Sequence, residues 1–259
     1  MKGIIQEVQE VLGEEFDREN VRAILKRKRV IVLIKTHYLP FEEIGDDYYE
    51  IDAYYVASNA AYHKLSAAMK KLQKKGISVE RYKKTDFKKL AVESGLAYGC
   101  RRNSLAYDEN GSRFVLGAIE IVGAENLPEK EKEELPKNGH TDASAAVFTL
   151  CGRCNKCMDA CPTKAITNTA MEGEKCLRHY QEEPNYPQAE IRAAAKNKLL
   201  GCDICQRSCP FNKQKIVPVP LEFLALLKKD GFWERAKEKQ IEFVKWIGIN
   251  YARKLANRE

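Results

Sequence analysis

The sequence predicts an α/β domain, followed by a cysteine-rich metal-binding domain and closing helices that pack back on the core. Three observations predict this organisation. Helical and strand patterns alternate from residue 3 to residue 123, eight of the nine cysteines lie between residues 151 and 209, and helical spacing of apolar residues returns near the C-terminus. A chain of 259 residues is long enough for two modest domains with their own cores.

The N-terminal elements follow from apolar periodicity. Helical spacing predicts a helix over 3–27, and the aliphatic run VIVLI predicts a buried strand over 29–40 that ends at a proline. Tyr55, Leu65 and Leu72 keep helical spacing and predict a long helix over 51–75. The remaining elements are a short strand at 77–83, a helix at 84–94 before Gly95, and a strand at 113–123 after the turn DENGS. This alternation indicates an α/β (α+β) domain over 1–123.

The second half of the chain divides by composition. Residues 124–146 are charged and bounded by prolines, which predicts a linker. The cysteine-rich domain covers 147–215. Residues 216–259 keep helical spacing, for example at Val244 and Tyr251, and are expected to form the closing helices.

The charge of the chain is unevenly placed. Residues 1–150 carry 24 basic and 24 acidic groups, whereas residues 151–259 carry 20 and 13 and supply the whole net charge of +7. A basic run at 64–89 is either a solvated helix face or a surface for an anionic partner such as tRNA or an acidic electron donor. The N-terminus lacks the apolar core of a signal peptide, and no apolar run is long enough for a membrane span. We therefore expect a cytoplasmic protein without membrane contact, whose reduced thiols bind metal.

Four cysteines lie close together in LCGRCNKCMDACP, with the spacing Cys-x2-Cys-x2-Cys-x3-Cys-Pro. This run is typical of bacterial ferredoxins with two [4Fe–4S] clusters, in which the fourth cysteine binds the other cluster. A second motif, CDICQRSCP, repeats CNKCMDACP with an offset of 48 residues. The cysteine-rich domain is therefore predicted to be a ferredoxin-like double [4Fe–4S] domain.

The second motif has one ligand fewer than the first. The repeat offset places its missing cysteine at Leu199, and Cys176 is the cysteine that lies between the two motifs. The first cluster is assigned Cys151, Cys154, Cys157 and Cys209, and the second is assigned Cys161, Cys176, Cys202 and Cys205. Two structural zinc sites are the alternative use of these thiols. Cys100 lies far from both motifs and is either an ordinary core thiol or a neighbour of a bound cofactor.

Segments in both halves of the chain resemble the epoxyqueuosine reductase family, whose core is shared with cobalamin-dependent reductive dehalogenases. The similar segments are VIVLIKTHYLP at 30–40, YVASNAAYHKL at 55–65, GLAYGCRRNSLAYDENGSRFVLGAIE at 95–120 and GCDICQRSCPFN at 201–212. The spacing of the eight cysteines, including Cys176, is also similar to that of the family.

The resemblance implies a cobalamin-reductase-like N-terminal domain, in which electrons pass through the clusters to cobalt and an epoxide oxygen is removed from a modified tRNA base. It also implies a low-potential electron donor of the ferredoxin or flavodoxin type, and tRNA or a small anionic molecule as substrate. The residues that it assigns to cobalamin binding are Tyr62, His63, Tyr98, Cys100, Arg102, Asn103, Ser104, Gly111, Ser112 and Asp203.

Two departures from the family pattern bear on the substrate. The position of the family's proton-donating Asp falls on Arg81, with Asp86 nearby, so Arg81 and Asp86 are the candidate catalytic residues. Arg81 is expected to orient an anionic group, because a guanidinium is no acid near neutral pH, and Asp86 is the candidate proton donor. The sequence ends at Glu259 without the helical repeats of the full-length tRNA enzymes. We therefore expect a short, divergent member of the family that turns over epoxyqueuosine-tRNA weakly.

The residues leave two other functions open. One is an electron-transfer protein whose N-terminal domain binds a partner or another cofactor, although a bare ferredoxin has no need of so long an N-terminal region. The other is a nucleic-acid-binding module with structural clusters, which the neutral first half of the chain disfavours.

The ligand assignment predicts the iron content. Anaerobic reconstitution is expected to give about eight irons and eight sulfides per chain, and Cys176→Ser about four of each, because it removes a ligand of one cluster only. Cys100→Ser is the matched control and should keep both clusters. Iron and sulfide assays check these numbers. An unchanged iron content in Cys176→Ser would contradict the assignment, and zinc without sulfide in anaerobically purified protein would contradict the clusters themselves.

Overall fold

The computed structural model describes residues 3–100, 106–133, 135, 154–168, 170–182 and 193–258. The chain divides into a first unit of residues 1–37 and 61–154 and a second unit of residues 38–60 and 155–259. This division differs from the predicted domains, because 38–60 groups with the cysteine motifs and the C-terminal helices. None of the described helices is both long and apolar enough to cross a membrane.

The described elements are as follows. The strands are β1 (Val21–Lys26), β2 (Arg29–His37), β3 (Glu50–Ile51), β4 (Val79–Arg81), β5 (Tyr98–Gly99), β6 (Ala106–Tyr107), β7 (Phe114–Ile121) and β8 (Lys198–Leu200). The helices include α1 (Ile4–Phe16), α2 (Ala53–Lys74), α3 (Phe87–Glu93), α4 (Glu129–Glu133), α5 (Lys156–Ala160), α6 (Leu177–Glu182), α7 (Ile204–Arg207), α8 (Leu221–Leu227), α9 (Phe232–Glu238) and α10 (Gln240–Ala256).

The first unit is built on a four-stranded sheet in the order β1-β2-β7-β4, and every pair in it is antiparallel. The unit is therefore α+β and lacks the parallel sheet of a doubly wound fold. The central strand β2 is buried on both faces, as its VIVLI run predicted. Helix α2 packs closely over the sheet, since a Cβ added at Gly117 would lie 3.1 Å from Ile34 and 3.4 Å from Leu65.

The predicted helix over 3–27 is wrong beyond Phe16, where α1 ends. Residues 21–26 form β1 instead and pair residue by residue with β2. Arg27 and Lys28 make the connecting turn with positive φ angles of 50° and 66°. The local apolar spacing of this segment fits a helix, but pairing with the aliphatic β2 satisfies its backbone and buries Val21, Ala23 and Ile24.

The second unit has an aromatic core under the C-terminal helices. Phe223, Phe232 and Phe243 come from α8, α9 and α10 and are at most 1% exposed. Phe223 stacks on Trp246 with ring centroids 5.0 Å apart. The parallel pair β3–β8 joins this core through Ile51 and Leu200. The closing helices expected from the sequence thus pack on the strand that leads into the second cysteine motif.

A buried ion pair lies in the first unit near the end of β2. Lys35 Nζ contacts Asp108 Oδ2, with the two side chains 5% and 2% exposed, and His37 Nε2 lies 2.7 Å from the same oxygen. Burial alone would raise the pKa of Asp108, but hydrogen bonds from His37 and Lys35 outweigh it and hold this pKa below its usual value. The sequence alone gives no signal for this group of charged side chains, because Lys35 lies in an apolar strand and Asp108 is far along the chain.

Breaking this pair is expected to destabilise the protein strongly. Lys35→Met leaves the buried Asp108 carboxylate without its lysine and should lower the free energy of unfolding by about 3–5 kcal/mol. Lys71→Met is the matched control, since Lys71 pairs with Glu15 while 49% exposed, and should cost far less because water screens the pair. Urea denaturation at pH 7 measures both variants, and equal losses would contradict the argument.

The same pair gives a pH dependence. Its stabilisation is fully present above the unfolded-state pKa of Asp108, about 4, and is lost as the pH falls through the lower folded-state pKa.

Candidate metal centre

Cysteines from both motifs and the solitary Cys176 meet in the second unit. Cys157 and Cys161 are 7% and 9% exposed and form a small buried cluster with Ala165 and Ile166. Cys176 and Cys205 pack against this cluster. Thiols that are up to 48 residues apart in the chain therefore share one environment.

Short helices position these cysteines. Helix α5 carries Cys157 and ends at Cys161, and α7 carries Cys205 and packs against α5. The two helices occupy equivalent places in the repeated motifs. Cys176 follows a single 3-10 turn, Gly173–Lys175, and directly precedes α6.

The electrostatics of the thiols favour a bound cation. The pKa of Cys202 is raised to about 11, mainly by burial and also by nearby Cys176. Burial likewise raises the pKa of Cys205 far above its usual value, with added contributions from Cys202, Cys176, Cys157 and Cys161. Metal ligands must be thiolates, so these groups need the positive charge of iron to ionise together. The donor set thus fits a cluster.

Three of the four cysteines assigned to the second cluster, Cys161, Cys176 and Cys205, pack in one group together with Cys157 of the first set. Of the set assigned to the first cluster, Cys157 is buried, Cys154 and Cys209 are half-buried, and Cys151 lies outside the described residues. In the part of the chain that the structure describes, no three His, Cys, Asp or Glu side chains form a group that would hold one metal ion. A cubane of four irons spreads its thiolates more widely than a single ion does.

The candidate cobalamin residues of the first unit lie on three elements. Tyr62 and His63 are exposed on α2. Tyr98 is half-buried on β5, opposite Tyr107 of β6, and Cys100 follows β5 and is also half-buried. The three candidates Arg102, Asn103 and Ser104 lie outside the described residues.

Gly111 and Ser112 lie at a tight turn before β7. The backbone groups of Asp108 and Gly111 exchange two hydrogen bonds of 3.0 Å, and Gly111 has a φ of 102°, which favours glycine. Ser112 is buried. The turn therefore places two candidate residues next to the Lys35–Asp108–His37 cluster.

The structure separates the two candidate catalytic residues. The Arg81 guanidinium lies 3.8 Å from the centre of the Tyr62 ring, and its Nη2 donates to Tyr62 O at 2.8 Å and to Ser66 Oγ at 2.5 Å. Asp86 instead accepts a 2.9 Å hydrogen bond from the Tyr82 hydroxyl. Adjacent residues of an extended strand point to opposite faces, so Arg81 and the Tyr82–Asp86 pair lie on opposite sides of the sheet.

Asp203, the candidate cobalamin residue of the second unit, is 4% exposed. Its carboxylate forms ion pairs with Arg207 at 2.8 Å and Lys198 at 3.9 Å. It also contributes to the pKa of Cys202, and so belongs to the surroundings of the second cysteine motif. Neither Lys198 nor Arg207 was predicted, although Arg207 lies within the second motif and Lys198 four residues before it.

Comparisons with known proteins agree with this site. Residues 150–212 match the family model of a 4Fe-4S double cluster binding domain. An epoxyqueuosine reductase of Leadbetterella byssophila is 28% identical over 218 residues, which are 78% of this chain and 65% of that protein. The chain thus matches less than two thirds of the length of this relative.

Solved structures of epoxyqueuosine reductases share the fold. The enzyme from Streptococcus thermophilus superposes with a TM-score of 0.59 at 22% identity, over 88% of this chain and 62% of that one. A second, which contains an epoxyqueuosine-modified tRNA-Tyr stem loop, superposes with a TM-score of 0.53 at 19% identity, over 96% and 73%. The resemblance inferred from sequence is confirmed: the curated relatives and matching structures are epoxyqueuosine reductases.

Gly201 directly precedes the second cysteine motif, and a substitution there tests whether this backbone position is needed to place the motif. Its φ is 83°, and an added Cβ would lie 2.4 Å from Asp52 Cβ and 2.8 Å from Tyr55 Cε2. Gly201→Ala is therefore expected to cost about 2 kcal/mol or more and to lower iron binding at the adjacent Cys202. Gly173→Ala is the matched control near Cys176, because nothing lies within 4 Å of its added Cβ. Thermal unfolding and iron content measure both, and equal behaviour would show that Gly201 is not needed.

Proposed function

We propose that this chain is a cytoplasmic iron–sulfur reductase that binds two [4Fe–4S] clusters through its eight motif cysteines. Its best substrate candidate is epoxyqueuosine in tRNA. The observation that carries the proposal is the packing of the half-buried Cys176 and Cys205 against the buried Cys157 and Cys161. Such a set of thiols suits electron transfer through a cluster. The names of the relatives support the reaction and the substrate class.

We further propose that the first unit binds cobalamin, which would supply a strongly reducing metal centre when bound. The proposed residues around it are Tyr62, His63, Tyr98, Cys100 and the turn at Gly111–Ser112, with the candidates Arg102, Asn103 and Ser104 on the segment between β5 and β6. Together they offer polar side chains, exposed aromatic surface and accessible backbone, which suit a large flat cofactor with amide groups.

Arg81 is proposed to orient an anionic group of the substrate. Both of its contacts to Tyr62 and Ser66 use Nη2, while a guanidinium carries five N–H donors in a planar fork. The ring of Tyr62 holds the guanidinium plane in place. Asp86 bonds to Tyr82 on the other side of the sheet from Arg81, so it does not share this site and is not retained as the proton donor. Electrons are proposed to come from a low-potential donor of the ferredoxin or flavodoxin type.

Cobalamin titration and turnover test this function. The reconstituted protein is expected to bind cobalamin under reducing, oxygen-free conditions, with a change in the visible spectrum. It should convert an epoxyqueuosine-containing stem loop slowly, and only with cobalamin. Cys176→Ser should still bind cobalamin but lose turnover. Absence of binding would favour an electron-transfer protein.

The two catalytic candidates have separable effects. Arg81→Ala is expected to raise KM by about tenfold, which is the loss of one charged hydrogen-bonding contact. Asp86→Asn is the matched control and should leave both kcat and KM unchanged, because Asp86 lies on the other side of the sheet. Fast turnover that survives Arg81→Ala unchanged would contradict the role of Arg81.

A further inference from the structure

Four charged side chains of the second unit form a network beside the second cysteine motif. Asp203, next to Cys202, pairs with Arg207 of α7 and with Lys198 of β8. Lys198 also pairs with Glu50 of β3. We call this group the charged network; its members are Glu50, Lys198, Asp203 and Arg207. It holds two positive and two negative groups.

The charged network is largely removed from water. Its side chains are 20% exposed for Glu50, 16% for Lys198, 6% for Asp203 and 23% for Arg207. Charges in such a setting are screened weakly and act on their neighbours over several ångströms. All four residues line one pocket, which also includes Gly201 before Cys202.

The charged network adjoins the assigned ligands of this cluster. Asp203 directly follows Cys202, Arg207 lies two residues beyond Cys205 on α7, and Lys198 begins the strand that leads into Cys202. A group that stabilises negative charge on a ligand also stabilises the extra electron of a reduced cluster. The network is therefore placed to affect electron affinity.

We infer that the charged network sets the reduction potential of the cluster held by Cys202 and Cys205, with Lys198 favouring its reduced form and Glu50 its oxidised form. The inference rests on the two-cluster function proposed above. Reduction adds one electron, supplied by the low-potential donor, to a cluster that already carries negative thiolates. The positive charge of Lys198 lowers the energy of that added electron, and Glu50 cancels part of this effect. Lys198 and Glu50 therefore both affect the cluster through their charge.

The test is a redox titration of the reconstituted protein, followed by electron paramagnetic resonance. Lys198→Met removes one positive charge at similar side-chain length and is expected to lower one midpoint potential. Glu50→Gln removes one negative charge at nearly constant shape and should raise the same midpoint. The double variant restores a neutral network and should return it toward the wild-type value. The affected signal should be the one missing from Cys176→Ser.

Lys175→Met is the matched control. Lys175 adjoins Cys176, a ligand assigned to the same cluster, but it is 56% exposed and pairs with the exposed Glu172. Water screens its charge, so its removal should shift the midpoint much less.

Opposite shifts of the midpoint potential in Lys198→Met and Glu50→Gln indicate an electrostatic effect. Structural damage would shift the midpoint potential of both variants in the same direction. Shifts of one sign, or no shift in Glu50→Gln, would overturn the inference. If Lys198→Met loses the cluster, Glu50→Gln decides alone: a raised midpoint supports the inference and an unchanged one overturns it. A wild-type protein that takes up no iron would overturn the proposed function itself, whereas two assembled clusters with unmoved potentials would overturn only this inference.

Discussion

The second unit depends on a group of buried and half-buried thiols, whose negative charges water stabilises poorly in that setting. Burial raises the pKa values of Cys202 and Cys205, and each thiol opposes ionisation of the next. As neutral groups they form a modest apolar cluster around Ala165 and Ile166. As metal ligands they must give up their protons, which only a strong local positive charge makes favourable. The surrounding short helices, tight turns and ion pairs therefore gain their significance from metal binding.

The double [4Fe–4S] domain could be predicted from the sequence, because ligand spacing is a local property. Motif spacing and a simple count of thiols selected Cys176 as the missing ligand of the second cluster, and the structure packs it, half-buried, against Cys157 and Cys161. Its ligand role stays a prediction. Lys198 and Arg207, the partners of Asp203, were not predicted. Basic residues in or near a motif give no signal in the sequence until folding buries them beside an acidic partner.

The first unit shows the limits of local patterns. Periodicity gave β2, α2 and β7 close to their observed bounds, because long amphipathic or aliphatic runs leave few alternatives. It failed for residues 21–26, whose strand depends on pairing with β2, and for Lys35, whose partner lies on a distant turn. Counting along the sequence also brought Arg81 and Asp86 together as candidates. The alternation of side chains along an extended strand separates them across the sheet.

The pairing of β3 with β8 has a consequence for how the second unit is assembled. Glu50 forms an ion pair with Lys198, which lies 148 residues later in the chain, and the Asp52 backbone N–H donates to Leu200 O at 2.9 Å. The second unit is therefore discontinuous in the chain, and a fragment that begins after residue 154 lacks one strand and Tyr55 of its core. During synthesis, residues 38–60 leave the ribosome long before their partners. Tyr49 and Asn59 bond to Leu227 O and Lys245 O, which follow both cysteine motifs, so these contacts can form only when every cysteine has already been translated.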